Sequence, residues 1–259
     1  MAKRTWTIIA FTLLSIAAAF LLPAVPQPAA YHDFADRRAG IGIENVLDVV
    51  SNGAFLLAGI AGLVVVLRPR TRFEFAAERW PYGLFFLGVL LTAAGSAYYH
   101  LAPDNERLFW DRLPITIALM ALISAQVVDR VSVRAGLALL GPALLAGAAS
   151  AIYWIATERA GAGNVLPYAV VQGYAVVILL VFALTLPSRY TRGSDVYWVF
   201  AGYVIAKVLE HFDREVLALG NLVSGHTLKH LAAAAAALVL CRMLWRRTLI
   251  TGERPRLVG

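Results

Sequence analysis

Long apolar stretches, separated by short clusters of Pro, Gly and charge, run along almost the whole chain. The stretches are continuously apolar over about 20 residues, which is the pattern of a membrane-crossing helix; a barrel strand alternates and is about half as long. Eight such helices are predicted, over 6–22, 46–67, 81–100, 113–128, 135–156, 165–186, 196–212 and 226–245. Pro23, Pro26 and Pro28 follow the first run without a clean cleavage site, so that run reads as a retained anchor rather than a signal peptide. The fold class this pattern predicts is all-α, a polytopic transmembrane helix bundle.

Composition points the same way. The chain has 259 residues, 60% hydrophobic and only 15% charged, more apolar side chain than a soluble core could hide. No length is left for a separate soluble domain. The formal net charge of +7 is accounted for by the loops. One alternate set carries Lys3, Arg4, Arg68, Arg70, Arg72, Arg79, Arg130, Arg134, Arg189, Arg192, Arg242, Arg246, Arg247, Arg254 and Arg256. The other carries only Arg37, Arg38, Arg107, Arg112, Arg159 and Arg214. Cytoplasmic loops retain positive charge, so both termini are expected on the cytoplasmic side. A nucleic-acid partner is not needed to explain the basic balance, and the tail reads as an anchor beside anionic headgroups. Lys occurs only at 3, 207 and 229, a bias toward Arg that suggests a bacterial inner membrane. Cys241 is the single cysteine, which excludes an intramolecular disulfide and leaves a metal site to His, Asp, Glu or water.

Ionisable groups inside a membrane are costly and usually functional. With this topology, Ser96 and His100 end the third span near the outer surface, and Asp111 precedes the fourth. Lys207, Glu210, His211 and Asp213 end the seventh, while His226 and His230 open the eighth. Asp48, Ser51 and Asn52 lie in the outer half of the second. Polar groups from five helices thus share one depth, which predicts a pocket opening outward. His226 and His230 are four apart and stack on one helical face, so both imidazoles can bind one ion. A third histidine would complete a catalytic zinc shell with one open position; His100 and His211 are rival candidates. Lys207 and Glu210 read as an ion pair fastening the seventh span. Asp48, Ser51 and Asn52 either line the pocket or bond neighbouring helices. His32, Asp33 and Asp36 read as a solvated turn before a cation site.

Three segments together resemble the alkaline ceramidases of the CREST superfamily of membrane hydrolases. They are Gly95-Ser96-Ala97-Tyr98-Tyr99-His100, Trp110-Asp111-Arg112-Leu113-Pro114 and His226-Thr227-Leu228-Lys229-His230, and Val50-Ser51-Asn52 is similar to that family's first helix. The resemblance implies a seven-helix CREST-like core plus one extra N-terminal transmembrane helix. The expected organisation is an anchor and Pro-rich linker over 1–30, a seven-helix domain over 31–247 and a basic cytoplasmic tail over 248–259. It further implies Zn2+ held by His100, His226 and His230, with Ser96 and Asp111 as catalytic partners, in an active site toward the outer face. A zinc-bound hydroxide would attack the amide carbon of ceramide or a related N-acyl lipid, releasing a fatty acid and a sphingoid base. Calcium binding, known for that family, would fall to Asp33, Asp36 and Glu44, which match its acidic stretch only in part. The same superfamily includes the progestin and adipoQ receptors, so the alternative is a seven-helix lipid sensor with a structural zinc. A transporter using Lys207, Glu210 and Asp213 as a proton relay lacks the inverted halves expected of one.

Overall fold

The computed structural model of the protein describes residues 2–250. Helix α1 spans Ala2–Leu21, α2 Val46–Val50, α3 Gly53–Leu67, α4 Arg79–Leu101 and α5 Asn105–Arg130. They are followed by α6 over Val133–Arg159, α7 over Leu166–Thr185, α8 over Val196–His211, α9 over Asp213–Ala218 and α10 over Gly225–Arg246. Among the described residues there is no strand beyond two isolated bridges. The protein is an all-α polytopic helix bundle. The expected tail lies mostly outside the described residues.

Among the described residues, six segments are long and apolar enough to cross a membrane: Val46–Leu67, Ala76–Leu101, Asn105–Arg130, Val133–Arg159, Leu166–Thr185 and Gly225–Arg246. Two of the eight expected spans are shorter. α8 has 16 residues, about 24 Å at 1.5 Å per residue against a hydrocarbon core of about 30 Å. It stops because Phe212 leaves helical geometry (φ −97°, ψ 34°) and α9 opens directly behind it. In α1 the apolar helix is Thr5–Leu21. That helix rests on α7, where Phe11 stacks on Tyr174 at 5.5 Å and Thr12 hydrogen-bonds its hydroxyl at 3.0 Å. Most of its other large side chains are bare, as suits a surface turned to lipid.

Small residues set how closely the helices approach, as expected where lipid tails give no hydrophobic drive between them. A methyl group on Gly59 would meet the Leu90 backbone, and one on Gly88 would meet Ala118 and the Pro114 carbonyl. At Gly95 it would collide with the Trp110 carbonyl oxygen. Pro114 lies inside α5 and has no N–H to offer that carbonyl four residues earlier. The gap Pro114 leaves in the α5 ladder is therefore where α4 presses in, and this locks the segment 110–114 against Gly95 and Ser96. Around the bundle α3, α4, α5 and α6 pack in sequence, and α10 closes onto α3 and α8. α7 and α8 scarcely touch, so the ring of helices is open between them.

The end away from the histidines is tied by a polar knot. Buried Glu78 accepts from the Tyr190 hydroxyl at 2.6 Å and from Arg189 at 3.3 Å. Asp129 accepts from Ser188 at 2.8 Å, and buried Arg247 stacks 3.9 Å from the Tyr190 ring. Arg130 donates to the Leu186 carbonyl at 2.6 Å and the Gly193 carbonyl at 2.8 Å, so Arg130, Arg189 and Arg247, which in sequence look like loop charges, are used internally as well.

Candidate metal centre

Three buried imidazoles converge at the opposite end. His100 comes from the last turn of α4, and His226 and His230 from the first turns of α10; their ligand atoms all lie within 4.8 Å of one another. Ser224 fixes the start of α10, its Oγ accepting from the Thr227 amide at 3.0 Å. Gly225 lets that start approach α8, because a methyl group there would collide with the Leu209 carbonyl. The His226 amide donates to Asp213 Oδ1 at 2.7 Å, and Asp213 Oδ2 accepts from the Ala35 amide at 2.9 Å.

The chain fixes one tautomer outright. The Ser51 hydroxyl donates to the Asp48 carbonyl at 3.0 Å, and its Oγ is 2.8 Å from His230 Nδ1. A hydroxyl has one proton, so Oγ must accept from Nδ1–H, and the lone pair of His230 is left on Nε2. His100 Nε2 and His226 Nε2 are 3.2 Å apart. Two nitrogens bound tetrahedrally to one ion at 2.0–2.1 Å would stand about 3.3 Å apart, so the spacing fits a shared ion. Neutral imidazoles in a dry setting are a donor set for a divalent transition metal. His100 Nδ1 has no hydrogen-bond partner; its ring is held instead by Phe34 at 4.7 Å and Tyr99 at 4.9 Å, and Asn45 donates to its carbonyl at 2.9 Å.

Ser96 is buried one turn before His100 on α4, and the close approach at Gly95 packs that turn against the backbone of Trp110 and Asp111 on α5. Asp48 supports the start of α10: its Oδ1 accepts from the Thr227 hydroxyl at 2.6 Å, while Oδ2 is buried without a partner. Asn52 donates to the Asp48 carbonyl at 2.7 Å, bracing the break between α2 and α3. Lys207 and Glu210 do pair, at 2.6 Å, but Glu210 also takes Lys229 of α10 at 2.6 Å, so the fastening joins two helices. His211 is exposed against Phe212 and stands outside the imidazole group.

Residues 23–45 form a strap over this end. The Val25 amide donates to Asn164 at 3.1 Å, and His32 bridges Tyr99 and Asn105 at 2.8 and 3.0 Å. Phe34 caps the imidazoles, 4.5 Å from His226 and only 5% exposed. The residues expected to bind calcium are not gathered at ligating distance of one another. Asp33 pairs with Arg37 and Arg214, Asp36 with Arg38, and Glu44 is exposed. The hydrogen-bonded Arg38 holds the Asp36 carboxyl below the usual carboxylate range, against its burial. Among the described residues, the histidines are the one His/Cys/Asp/Glu set brought to ligating distance. Beside the strap a cavity of about 290 Å³ reaches His226 and is lined also by Tyr31, Phe34 and the acidic residues Asp33, Glu210, Asp213 and Glu215.

No protein-family model matches the chain, and no curated protein matches it.

Sequence reasoning missed Phe34, Asn45, Thr227, Ser224 and Lys229. Phe34 and Asn45 carry no periodic signal, since they lie in irregular chain; Lys229 was legible as an intramembrane charge beside His230 but had no visible partner.

Proposed function

We propose that the protein is a zinc-dependent amidase that hydrolyses ceramide or a related N-acyl lipid within the membrane, akin to the alkaline ceramidases. The observation that carries this reading is the convergence of His100, His226 and His230, with Ser96 one turn before His100 and the Asp111 backbone packed against that turn. When bound, zinc supplies Lewis acidity, polarising a carbonyl and making water acidic enough to lose a proton near neutral pH. The three imidazoles hold it, with His230 presented in the right tautomer by Ser51. Ser96 donates a hydrogen bond to the oxygen that gains charge as the amide carbon becomes tetrahedral. Asp111 takes the proton from water and returns it to the departing nitrogen. The C–N bond breaks, the hydroxyl stays on the acyl carbon, and fatty acid and amine leave. The opening between α7 and α8 suits acyl chains arriving sideways from the bilayer, and Phe34 keeps bulk water off the imidazoles.

Phe34 lying across the imidazoles also favours a second reading, a lipid sensor of the progestin and adipoQ receptor type in which zinc is structural. Purified protein should carry about one zinc per chain, lost when His226 and His230 become Ala, and should release fatty acid from ceramide until zinc is chelated. Full zinc occupancy with no fatty acid released from any ceramide or N-acyl lipid across a wide pH range would sink the amidase and leave the sensor.

A further inference from the structure

The uncharged stretch of the bundle differs in length from side to side. On α6 it runs from Ala135 to Thr157 and on α7 from Leu166 to Thr185. These measure about 34 and 30 Å at 1.5 Å per residue, enough for a hydrocarbon core of about 30 Å. On α8 it runs only from Val196 to Ala206, between Asp195 and Lys207, and on the adjoining α10 only from His230 to Cys241, between Lys229 and Arg242. Those two measure about 16 and 18 Å. Gly202 packs on Ala236 and Gly225 on Leu209, so the two helices lie side by side and their lysines stand at one height. Lys207 and Lys229 both bind Glu210 at 2.6 Å, which holds their ammonium groups at that level instead of leaving them free to reach outward. The Lys207 side chain is nonetheless 51% exposed.

A bilayer of ordinary thickness would set this exposed lysine roughly 12–14 Å deep in hydrocarbon, a costly place for a charge. Mismatch of that kind is relieved by thinning the bilayer. Apolar side chains return just beyond the charges. Leu219 and Leu222, in the turn after α9, are largely exposed, and so is Ile41, in the turn just after Arg38. Arg38 ties the two turns together, donating to the Asn221 and Leu222 carbonyls at 2.7 and 2.8 Å. We infer that the protein draws the leaflet at the histidine end down beside α8, so that lipid headgroups stand at the level of Lys207 and the side chains of Leu219, Leu222 and Ile41 rest in the depressed surface. His230, next to Lys229 in the chain, then stands level with the junction of lipid headgroup and acyl chain while the lipid stays in its leaflet. The depression needs neither a bound metal nor turnover.

The test attaches a nitroxide to Val208→Cys on α8 and, as a reference, to Leu145→Cys on α6, in full-length protein carrying Cys241→Ala and reconstituted in dioleoylphosphatidylcholine vesicles. Both native side chains are exposed. Each lies about 18 Å, at 1.5 Å per residue, from the helix end remote from the histidines, Val196 in α8 and Val133 in α6, so the far leaflet acts on both labels equally. The relaxing agent is gadolinium chelated by DTPA, either free in water or carried on a lipid headgroup. Headgroup-borne gadolinium should relax the Val208→Cys label at least three-fold more than the Leu145→Cys label. Lys207→Leu leaves Glu210 its bond to Lys229 and should lower the Val208→Cys value at least two-fold. Relaxation there no greater than at the reference overturns the inference. So does relaxation by free but not by headgroup-borne gadolinium, the sign of a water-filled crevice inside the protein. A full difference kept in Lys207→Leu overturns it as well, because the charge is then not what pulls the lipid down. Lipid hydrolysis plays no part in these outcomes, so the amidase stands or falls separately.

Discussion

Replacing Ser51 with Ala deletes one oxygen and leaves every proposed ligand in place. In the native protein that oxygen accepts from His230 Nδ1 at 2.8 Å while donating its own proton to the Asp48 carbonyl. Without it the imidazole can protonate on either nitrogen, and metal binding must force the proton onto an Nδ1 that has lost its acceptor. An unsatisfied buried donor costs about 1–3 kcal/mol, and most of that cost falls on the loaded state, because the empty state can relax by switching tautomer. Loss of a hydrogen bond to a ligating histidine typically weakens metal affinity about 10–100-fold, or about 1.4–2.7 kcal/mol. Zinc affinity should therefore fall by that factor in a competition titration against a chelator of known strength, and turnover should recover when zinc is raised to saturation. An unchanged affinity would refute the tautomer argument. Turnover still lost at full zinc occupancy would show that Ser51 acts on the substrate instead.

Three further outcomes follow from contacts described above. Ser96→Ala should lower turnover about ten- to a thousand-fold, as for loss of one oxyanion donor, with metal content by elemental analysis near normal; metal loss would make Ser96 structural. Gly95→Ala should force α4 off the Trp110 carbonyl, costing about 1–3 kcal/mol by overpacking and showing as a lower Tm together with reduced turnover as Ser96 and Asp111 separate. The depressed Asp36 carboxyl contributes stability that is present above the ordinary carboxylate range and lost as pH falls through its own lower value. Hydrogen exchange in residues 33–40 should accelerate on acidification through that window, and Asp36→Asn should make the strap labile already at neutral pH.

The helices were legible because lipid imposes its pattern on every residue of a span, and the three imidazoles because helical spacing and depth both constrained them. Spacing and depth alone leave His211 a rival of His100, and only the family resemblance favours His100; in the structure α8 ends early and His211 is exposed. The break at Ser51–Asn52 was invisible in an unbroken apolar run, being made by side chains that bond the Asp48 carbonyl. In sequence the strap reads as linker and turn because Pro and charge dominate residues 23–38; its attachments reach Asn164, Asp213 and Asn221, far along the chain. Pairings of that kind leave no local periodicity to find.

The unsealed seam between α7 and α8 carries a kinetic corollary. Moving an 18-carbon tail into water would cost roughly 0.8 kcal/mol per methylene, so a lipid entering through that seam is drawn from a two-dimensional reservoir. Rate would then track mole fraction in the leaflet: inert phospholipid added at constant total substrate should slow the reaction, while extra aqueous volume should leave it unchanged.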